Sequence, residues 1–209
     1  MKRYFILLTV AFCLAANAQQ TVTDTTVYER IIIEAGVRVP LDKMADKMGP
    51  SPEFGLWFRS RLRNTDLFDV GVTVFVPTNR RGFEYTDANL TYTVKPTGVS
   101  GMAGVRINKL YNLGGSHYKK SVEWSTTGGY AFFVYNDKQF RPGNGREADY
   151  TLTYAKAFST FSVGQGLKFT VDNVGLQLHY NYTPYGLFSD HVPNNFGSHS
   201  LSIGVFYKQ

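Results

Sequence analysis

Apolar and polar residues alternate with a period of two along most of the chain, from Arg30 to the C-terminus. The first such stretch places one apolar row on a single face, made of Ile31, Ile33, Ala35, Val37 and Val39. Comparable rows recur at 54–62, 68–76, 88–94, 99–107, 122–134, 150–169, 174–182 and 201–207. This alternation predicts β-strands with one apolar and one polar face. We therefore expect an all-β, antiparallel, up-and-down arrangement.

The connections between these rows fall into two classes that alternate along the chain. Tight turns are predicted near residues 64, 96, 128 and 172, and longer polar connections at 41–53, 77–86, 109–119, 137–147 and 184–198. A turn at Gly128-Gly129 divides the apolar row there in two, which gives about ten strands; eight is the alternative if the chain is built differently at this point. In the row that begins at Tyr150, the apolar residues move from even to odd positions before Phe161. A β-bulge would produce such a shift by one residue.

The composition of the polar face distinguishes two kinds of barrel. A soluble barrel carries many charged residues outside, whereas this face is rich in Gly, Ser, Thr and Asn with isolated charges. The apolar face has aromatic residues toward its ends, at Tyr85, Tyr92, Tyr180, Tyr182 and Tyr207. Small residues with few charges suit a narrow lumen, and terminal aromatics suit the two membrane interfaces. The pattern favours a transmembrane β-barrel over a soluble sandwich or a lipocalin-like carrier of an apolar ligand.

The first residues have the layout of a cleavable export signal. Lys2 and Arg3 precede a short apolar run, and Ala16-Asn17-Ala18 supplies small residues at the cleavage position. We expect residues 1–18 to be removed, residues 19–29 to form an N-terminal periplasmic segment and residues 30–209 to form the barrel. The alternative, in which Cys13 is a lipoprotein acylation site, is disfavoured because Phe12 precedes it and Cys13 lies inside the apolar run.

Removal of the signal also changes the chemistry that the chain has available. Cys13 is the single cysteine, so the exported chain has neither a disulfide nor a thiolate nucleophile. It keeps 20 basic residues against 16 acidic ones, and the basic residues are scattered. This mild excess, on an exported protein, argues against nucleic acid as a partner.

On these patterns the chain resembles the small outer-membrane β-barrel family of Gram-negative bacteria, from Arg30 to Lys208. The resemblance implies insertion by the barrel-assembly machinery, which reads an aromatic residue at the end of the last strand in this family. Here the aromatic pair Phe206-Tyr207 is followed by Lys208-Gln209, so that signal is displaced by two residues. The resemblance also implies location in the outer membrane, in contact with its lipid; it does not define an oligomeric state.

Four charged residues are candidates for ion pairs inside the lumen. If Pro40 lies opposite Glu53 in the first hairpin, Glu34 lies opposite Arg59. If the second hairpin turns at Asn64-Thr65-Asp66, Arg61 lies opposite Asp69. Directly opposed side chains on one face are close enough for salt bridges. Because a barrel of eight to ten strands is filled by its own side chains, we expect no free passage of solutes.

The remaining candidates lie in the predicted outer loops. Basic residues there could bind the phosphates of lipopolysaccharide: Arg80, Arg81, Lys119, Lys120 and Arg141, with Lys43, Lys47, Lys138 and Arg146 in the same class. Solvated loops without a ligand are the alternative. Ser198-His199-Ser200 could serve a lipid A-modifying enzyme, but a nucleophile also needs an orienting acid, for which Asp190 is the sequence neighbour. No histidine spacing indicates a metal site, and we expect no cofactor.

Overall fold

The computed structural model describes residues 31–63, 65–78, 81–87, 90–114, 119–138, 153–193 and 196–209. The predicted signal and the 19–29 segment lie outside these residues, as do Arg80 and Arg141. Within the described part of the chain, no helix has the length and apolar content that a membrane crossing would need.

The described residues form ten antiparallel strands. These are β1 (Ile31–Pro40), β2 (Ser51–Arg61), β3 (Asp66–Phe75), β4 (Phe83–Asp87), β5 (Leu90–Pro96), β6 (Ser100–Asn112), β7 (Lys120–Lys138), β8 (Thr153–Val171), β9 (Val174–Tyr182) and β10 (His199–Lys208). A short 3-10 turn, Tyr185–Leu187, precedes β10. The predicted all-β antiparallel class is confirmed.

Eight of these strands close into a barrel. β1, β2, β3, β6, β7, β8, β9 and β10 pair in that order, and β10 pairs back onto β1. The β4–β5 hairpin stands outside this ring and joins it through Lys95 and Pro96, which pair with Asn136 and Tyr135 on β7. Eight barrel strands, the alternative to the predicted ten, are therefore present.

The difference in strand number has two physical origins. The described part of the row at 88–94, predicted as a barrel strand, lies in β5 of the outer hairpin. No turn is present at Gly128-Gly129, because inward-facing and outward-facing residues keep alternating across this point. Glu123 and Thr127 face the lumen, and so do Ala131 and Phe133. The pairing of β7 with β8 is likewise unbroken from Lys120 to Lys138, so the bulge predicted on β8 is not present in Thr153–Val171.

The two ends of the barrel differ in the length of their connections. Residues 62–65, 113–119 and 172–173 join strands at one end, whereas 41–50, 76–99, 139–152 and 183–198 join them at the other. The turns predicted near 64 and 172 are confirmed. The short connection predicted near 96 is present at 97–99, but it lies at the long-loop end and joins the outer hairpin to β6 instead of closing a barrel hairpin. The turn predicted near 128 is wrong. The connection after β6, predicted as an outer loop, lies at the short-turn end.

The two faces of the barrel wall have opposite character. The outward face is an apolar band to which every barrel strand contributes, with exposed residues such as Ile33, Phe54, Val72, Ile107, Trp124, Phe161, Leu178 and Val205. The predicted orientation of β3 is confirmed, because Val72 is 44% exposed and Thr73 is 8% exposed. The inward face carries the buried charged residues. This inside-out distribution is that of a transmembrane barrel.

Candidate functional site: a charged lumen beneath an aromatic cap

The predicted pairing of Glu34 with Arg59 is wrong, although both side chains are buried inside the barrel. The first hairpin pairs Arg38 with Ser51, which places Glu34 opposite Gly55. The register therefore differs by four residues from the one assumed. An even shift leaves every side chain on its predicted face while changing its neighbour across the strands.

The second predicted pair, Arg61 with Asp69, is also wrong, by two residues. Arg59 lies opposite Asp69. Arg61 lies near the short-turn end, outside the buried part of the lumen, and its Nε donates a 3.1 Å hydrogen bond to the carbonyl oxygen of Arg63.

The first ion cluster of the lumen surrounds Arg59. Its guanidinium donates to both carboxylate oxygens of Asp69, at 2.8 and 3.0 Å, and to both of Glu123, at 3.1 and 2.8 Å. Lys208 contacts Glu123 and donates to Thr170 Oγ1 at 3.0 Å. Two fork-shaped contacts on one guanidinium fix its orientation as well as its charge.

A second cluster surrounds Glu34, further along the lumen. Arg106 Nη1 lies 2.7 Å and Lys168 Nζ 2.6 Å from Glu34 Oε1. Trp57 Nε1 donates to Glu34 Oε2 at 3.1 Å, and the Arg106 guanidinium lies 3.9 Å from the centre of the Trp57 ring. The carboxylate is thus held by two cations and an indole, and its burial is compensated by contacts on both oxygens.

Nearer the long loops, Arg38 lies 3.5 Å from Glu53 and donates to Ser200 Oγ at 3.0 Å. With this pair, the buried charged residues of the described lumen comprise Arg38, Arg59, Arg106, Lys168 and Lys208 against Glu34, Glu53, Asp69 and Glu123. We call these nine residues the lumen ion network. Five cations lie among four carboxylates, and this near balance of charge lowers the cost of burying them together.

A small cavity separates the clusters around Glu34 and Arg38. Its volume is about 20 Å³, and polar groups including Glu34, Arg38, Gln177 and His179 line it. Gln177 Oε1 and His179 Nε2 are buried without a hydrogen-bond partner within the described residues. A space of this size holds about one water molecule. It is too small for an organic ligand.

Inward-facing glycines leave the space that the large side chains occupy. A Cβ on Gly55 would lie 2.8 Å from Glu34 Oε2 and 3.1 Å from Trp57 Nε1. A Cβ on Gly166 would lie 2.7 Å from Cγ of the His179 ring. The glycines that marked the polar face in the sequence therefore fit a filled lumen.

An apolar cluster closes the barrel at the long-loop end. We call it the aromatic cap; its rings are Phe83, Tyr85, Phe133, Tyr135, Phe158, Tyr185 and Phe196. The hairpin ring of Phe83 lies 4.6 Å from that of Phe196 in the β9–β10 connection, and Tyr135 stacks on Phe158 at 4.5 Å. Met44 and Met48 of the β1–β2 connection pack into the same cluster.

The outer hairpin and the β9–β10 connection are fastened together. The His191 ring stacks on Tyr85 at 4.8 Å, and its Nδ1 donates to the Thr86 carbonyl at 2.6 Å, while the Thr86 N–H donates to the His191 carbonyl at 2.9 Å. Burial raises the pKa of Tyr185, so this cap residue stays a neutral phenol. Tyr85 and Tyr92 were predicted at a membrane interface. Tyr85 is instead part of this cap, and Tyr92 packs against it.

The Ser198-His199-Ser200 run does not assemble a catalytic group. Ser198 and Ser200 are buried, whereas His199 lies on the outward face of β10 with its Nδ1 2.5 Å from the Tyr180 hydroxyl. The alternation of the strand sends the histidine away from both serines. Among the described residues, no group of three His, Cys, Asp or Glu side chains could hold a metal ion.

The predicted basic loop residues separate into two groups. Arg81 lies at the long-loop end with Lys43 and Lys47, and its N–H donates to the Lys47 carbonyl at 2.9 Å. Lys119 and Lys120 lie at the short-turn end, so their placement in an outer loop is corrected. The cause is the strand number: eight barrel strands put the connection after β6 on the opposite side.

No family model and no curated protein matches the sequence. Solved structures that are similar to this chain include Ail, the attachment invasion locus protein of Yersinia pestis, in complex with the heparin analogue sucrose octasulfate (14% identity, 86% of this chain, 97% of that chain, TM-score 0.42). A second Ail structure has 18% identity, with the same coverage and a TM-score of 0.38. The N-terminal β-barrel domain of Pseudomonas aeruginosa OprF has 10% identity, 87% and 98% coverage and a TM-score of 0.38.

Proposed function

We propose that this protein is an outer-membrane β-barrel that acts through its outer loops as a non-enzymatic binding or structural protein. The apolar band supports the membrane location, because a soluble barrel would expose charged residues there. The export signal predicted in residues 1–18 and the outward direction of the long loops in barrels of this kind support the orientation.

The observation that carries the proposal is the filled interior. The lumen ion network occupies the barrel from the short-turn end, and the aromatic cap occupies the other end. A pore needs a continuous aqueous path, and a carrier of apolar ligands needs an apolar cavity. The polar cavity of about 20 Å³ between described residues meets neither need, and this favours the outer surface as the place where the protein acts.

Basic residues at the long-loop end indicate which kind of ligand this surface would bind. Lys43 and Arg81 are exposed, and the backbone hydrogen bond from Arg81 to Lys47 holds two connections side by side. Guanidinium and ammonium groups in this arrangement suit the phosphates of lipopolysaccharide. The function is therefore contact with phosphorylated glycolipid at the cell surface.

The test is binding of the purified barrel to lipopolysaccharide in detergent, measured by calorimetry. A variant with Lys43→Ala, Lys47→Ala and Arg81→Ala should bind at least about tenfold more weakly, since a hydrogen bond to a charged group contributes roughly 1.5–3 kcal/mol. The matched control replaces Lys119 and Lys120, which lie at the opposite end, and should bind as the native chain does. Equal binding by both variants would contradict the proposed ligand.

A further inference from the structure

The β9–β10 connection begins along the edge of β8 that β9 leaves open. The pairing of β8 with β9 ends at Val163 and Tyr182. Beyond this point, Thr160 Oγ1 on the inward face of β8 donates a 3.3 Å hydrogen bond to the Pro184 carbonyl oxygen. The connection therefore continues the wall of the barrel where β9 stops.

The 3-10 turn in this connection has one buried side and one exposed side. Tyr185 is 4% exposed and lies in the aromatic cap, with its ring 5.7 Å from that of Phe133. Leu187 and Phe188 face the other way and are 56% and 63% exposed. Two consecutive large apolar side chains are thus uncovered, although removal of such surface from water is favourable.

Phe188 contacts the apolar band where the band ends on β8. Its ring meets that of Phe161 edge-on at 5.4 Å, and Phe161 is 41% exposed on the outward face of the strand. The next outward positions toward the long loops, Ser159 and Ala157, are exposed and small. The row of large apolar side chains on β8 therefore ends at Phe161, and Phe188 lies beside that end.

Lipid is the surrounding that fits this surface. Leu187 and Phe188 extend the apolar band, and the band of a transmembrane barrel faces acyl chains. Aromatic residues are typical of the level at which acyl chains meet headgroups, and Tyr182 adds a third ring there, 6.4 Å from Phe161. Asp190 is exposed two residues after Phe188. The connection thus has an apolar side toward the band and a polar side next to it, as a segment at a membrane surface requires.

We propose that Leu187 and Phe188 insert among the acyl chains of the leaflet at the long-loop end and hold the β9–β10 connection at the membrane surface. The same connection enters the aromatic cap through Tyr185 and stacks on the outer hairpin through His191. Lipid contact on its outer side thus helps to keep the cap over the lumen. The inference rests on the membrane location of the barrel and does not depend on lipopolysaccharide as the ligand.

Fluorescence quenching by phosphatidylcholine with brominated acyl chains tests this contact, in vesicles that contain no other protein. The full chain with Cys13→Ser receives one cysteine, which is labelled with bimane. Phe188→Cys should lose most of its fluorescence in brominated vesicles. Asp190→Cys, on the same connection, is the matched control and should keep its fluorescence. Val72→Cys, in the apolar band, reports insertion and should be quenched.

A second measurement separates the label from the two apolar side chains. Ser189→Cys, labelled in a chain that keeps Leu187 and Phe188, should be partly quenched. The added changes Leu187→Asp and Phe188→Asp should remove this quenching while the heat-modifiable gel migration of the barrel stays the same. If the chain with both aspartates does not insert, the comparison of positions 188 and 190 decides.

Three results would overturn the inference while position 72 is quenched as expected. They are full fluorescence at position 188, quenching at position 189 that the two aspartates leave unchanged, and crosslinking of Phe188→Cys to another protein in native membranes without quenching in vesicles. Each would leave the membrane location of the barrel intact. Absence of quenching at position 72 as well would contradict that location and the inference together.

Discussion

At the scale of single residues, Arg59 is held by two carboxylates inside the lumen. Arg59→Ala leaves Asp69 and Glu123 buried with fewer cations nearby, and we expect it to lower the free energy of unfolding by roughly 3–5 kcal/mol. The double variant with Asp69→Ala should lose less than the sum of the two single variants, because the residues form one network. Urea unfolding in detergent micelles measures all three.

Arg61 provides the matched control for Arg59. It has the same charge two residues along the strand, but its Nε bonds to a backbone carbonyl near the short-turn end. Arg61 is only half-buried, so Arg61→Ala should lower the unfolding free energy by less than Arg59→Ala does. A larger loss for Arg61→Ala than for Arg59→Ala would contradict the described register.

The outward direction of Val72 gives a second prediction. Val72→Arg places a charge in the apolar band and should cost roughly 2–4 kcal/mol if the residue lies near the bilayer midplane. Thr73→Arg should act by crowding the lumen instead. Single cysteines at the two positions distinguish the faces: a lipid-soluble probe that labelled position 73 and spared position 72 would show the assignment to be reversed.

The sequence predicts which charged residues face the lumen but not which of them pair. It places Glu34, Arg59 and Asp69 inside the barrel, because the face of a strand follows from alternation alone. It misses their partners, since a pair depends on register, and register depends on how many residues the connection at 41–50 takes up. Glu123 and Lys168 alternate with Trp124 and Leu167 in the sequence; that signal was available to place them in the lumen.

At the scale of elements, the outer hairpin β4–β5 is attached chiefly through the aromatic cap. Phe83 is buried between rings of β7, β8 and the β9–β10 connection. Phe83→Ala should leave a cavity there and cost about 3–5 kcal/mol of local packing. We expect faster proteolysis of the long loops, with the heat-modifiable gel migration of the barrel unchanged.

The exposed hairpin residue Thr91 is the control for Phe83. Thr91→Ala removes only a contact with Thr86 at the surface, so its proteolysis rate should match that of the native chain. If Phe83→Ala abolished the heat-modifiable form as well, cap and barrel would be one cooperative unit.

Strand prediction succeeds and fails for one physical reason. The alternation of apolar and polar residues identifies the strands, including those of the outer hairpin, but it does not determine which strands pair. The row predicted at 88–94 alternates like a barrel strand because its described members Tyr92 and Val94 also pack on one face, against the cap. Gly128-Gly129 resembles a turn in sequence, whereas inside the barrel Gly129 passes close to the Gly104 backbone. Tertiary context, which sequence lacks, decides both cases.

At the scale of the whole molecule, the barrel is closed twice, by the lumen ion network and by the aromatic cap. The two closures use different chemistry and lie in different parts of the lumen. In planar bilayers the native protein should therefore give only small or rare openings. Stable, large, ohmic conductance would contradict a filled lumen.

Removing one closure should not open a path. Replacing the outer hairpin, residues 82–97, by a short turn takes Phe83 and Tyr85 from the cap, but the clusters around Glu34 and Arg59 still fill the barrel beneath it. Conductance should therefore remain as in the native protein. Substituting Arg59, Arg106 and Lys168 by alanine with the cap intact should also leave it low, because apolar rings exclude hydrated ions. Only the two changes together should produce sustained openings; large currents from either change alone would show that the other region does not seal the barrel.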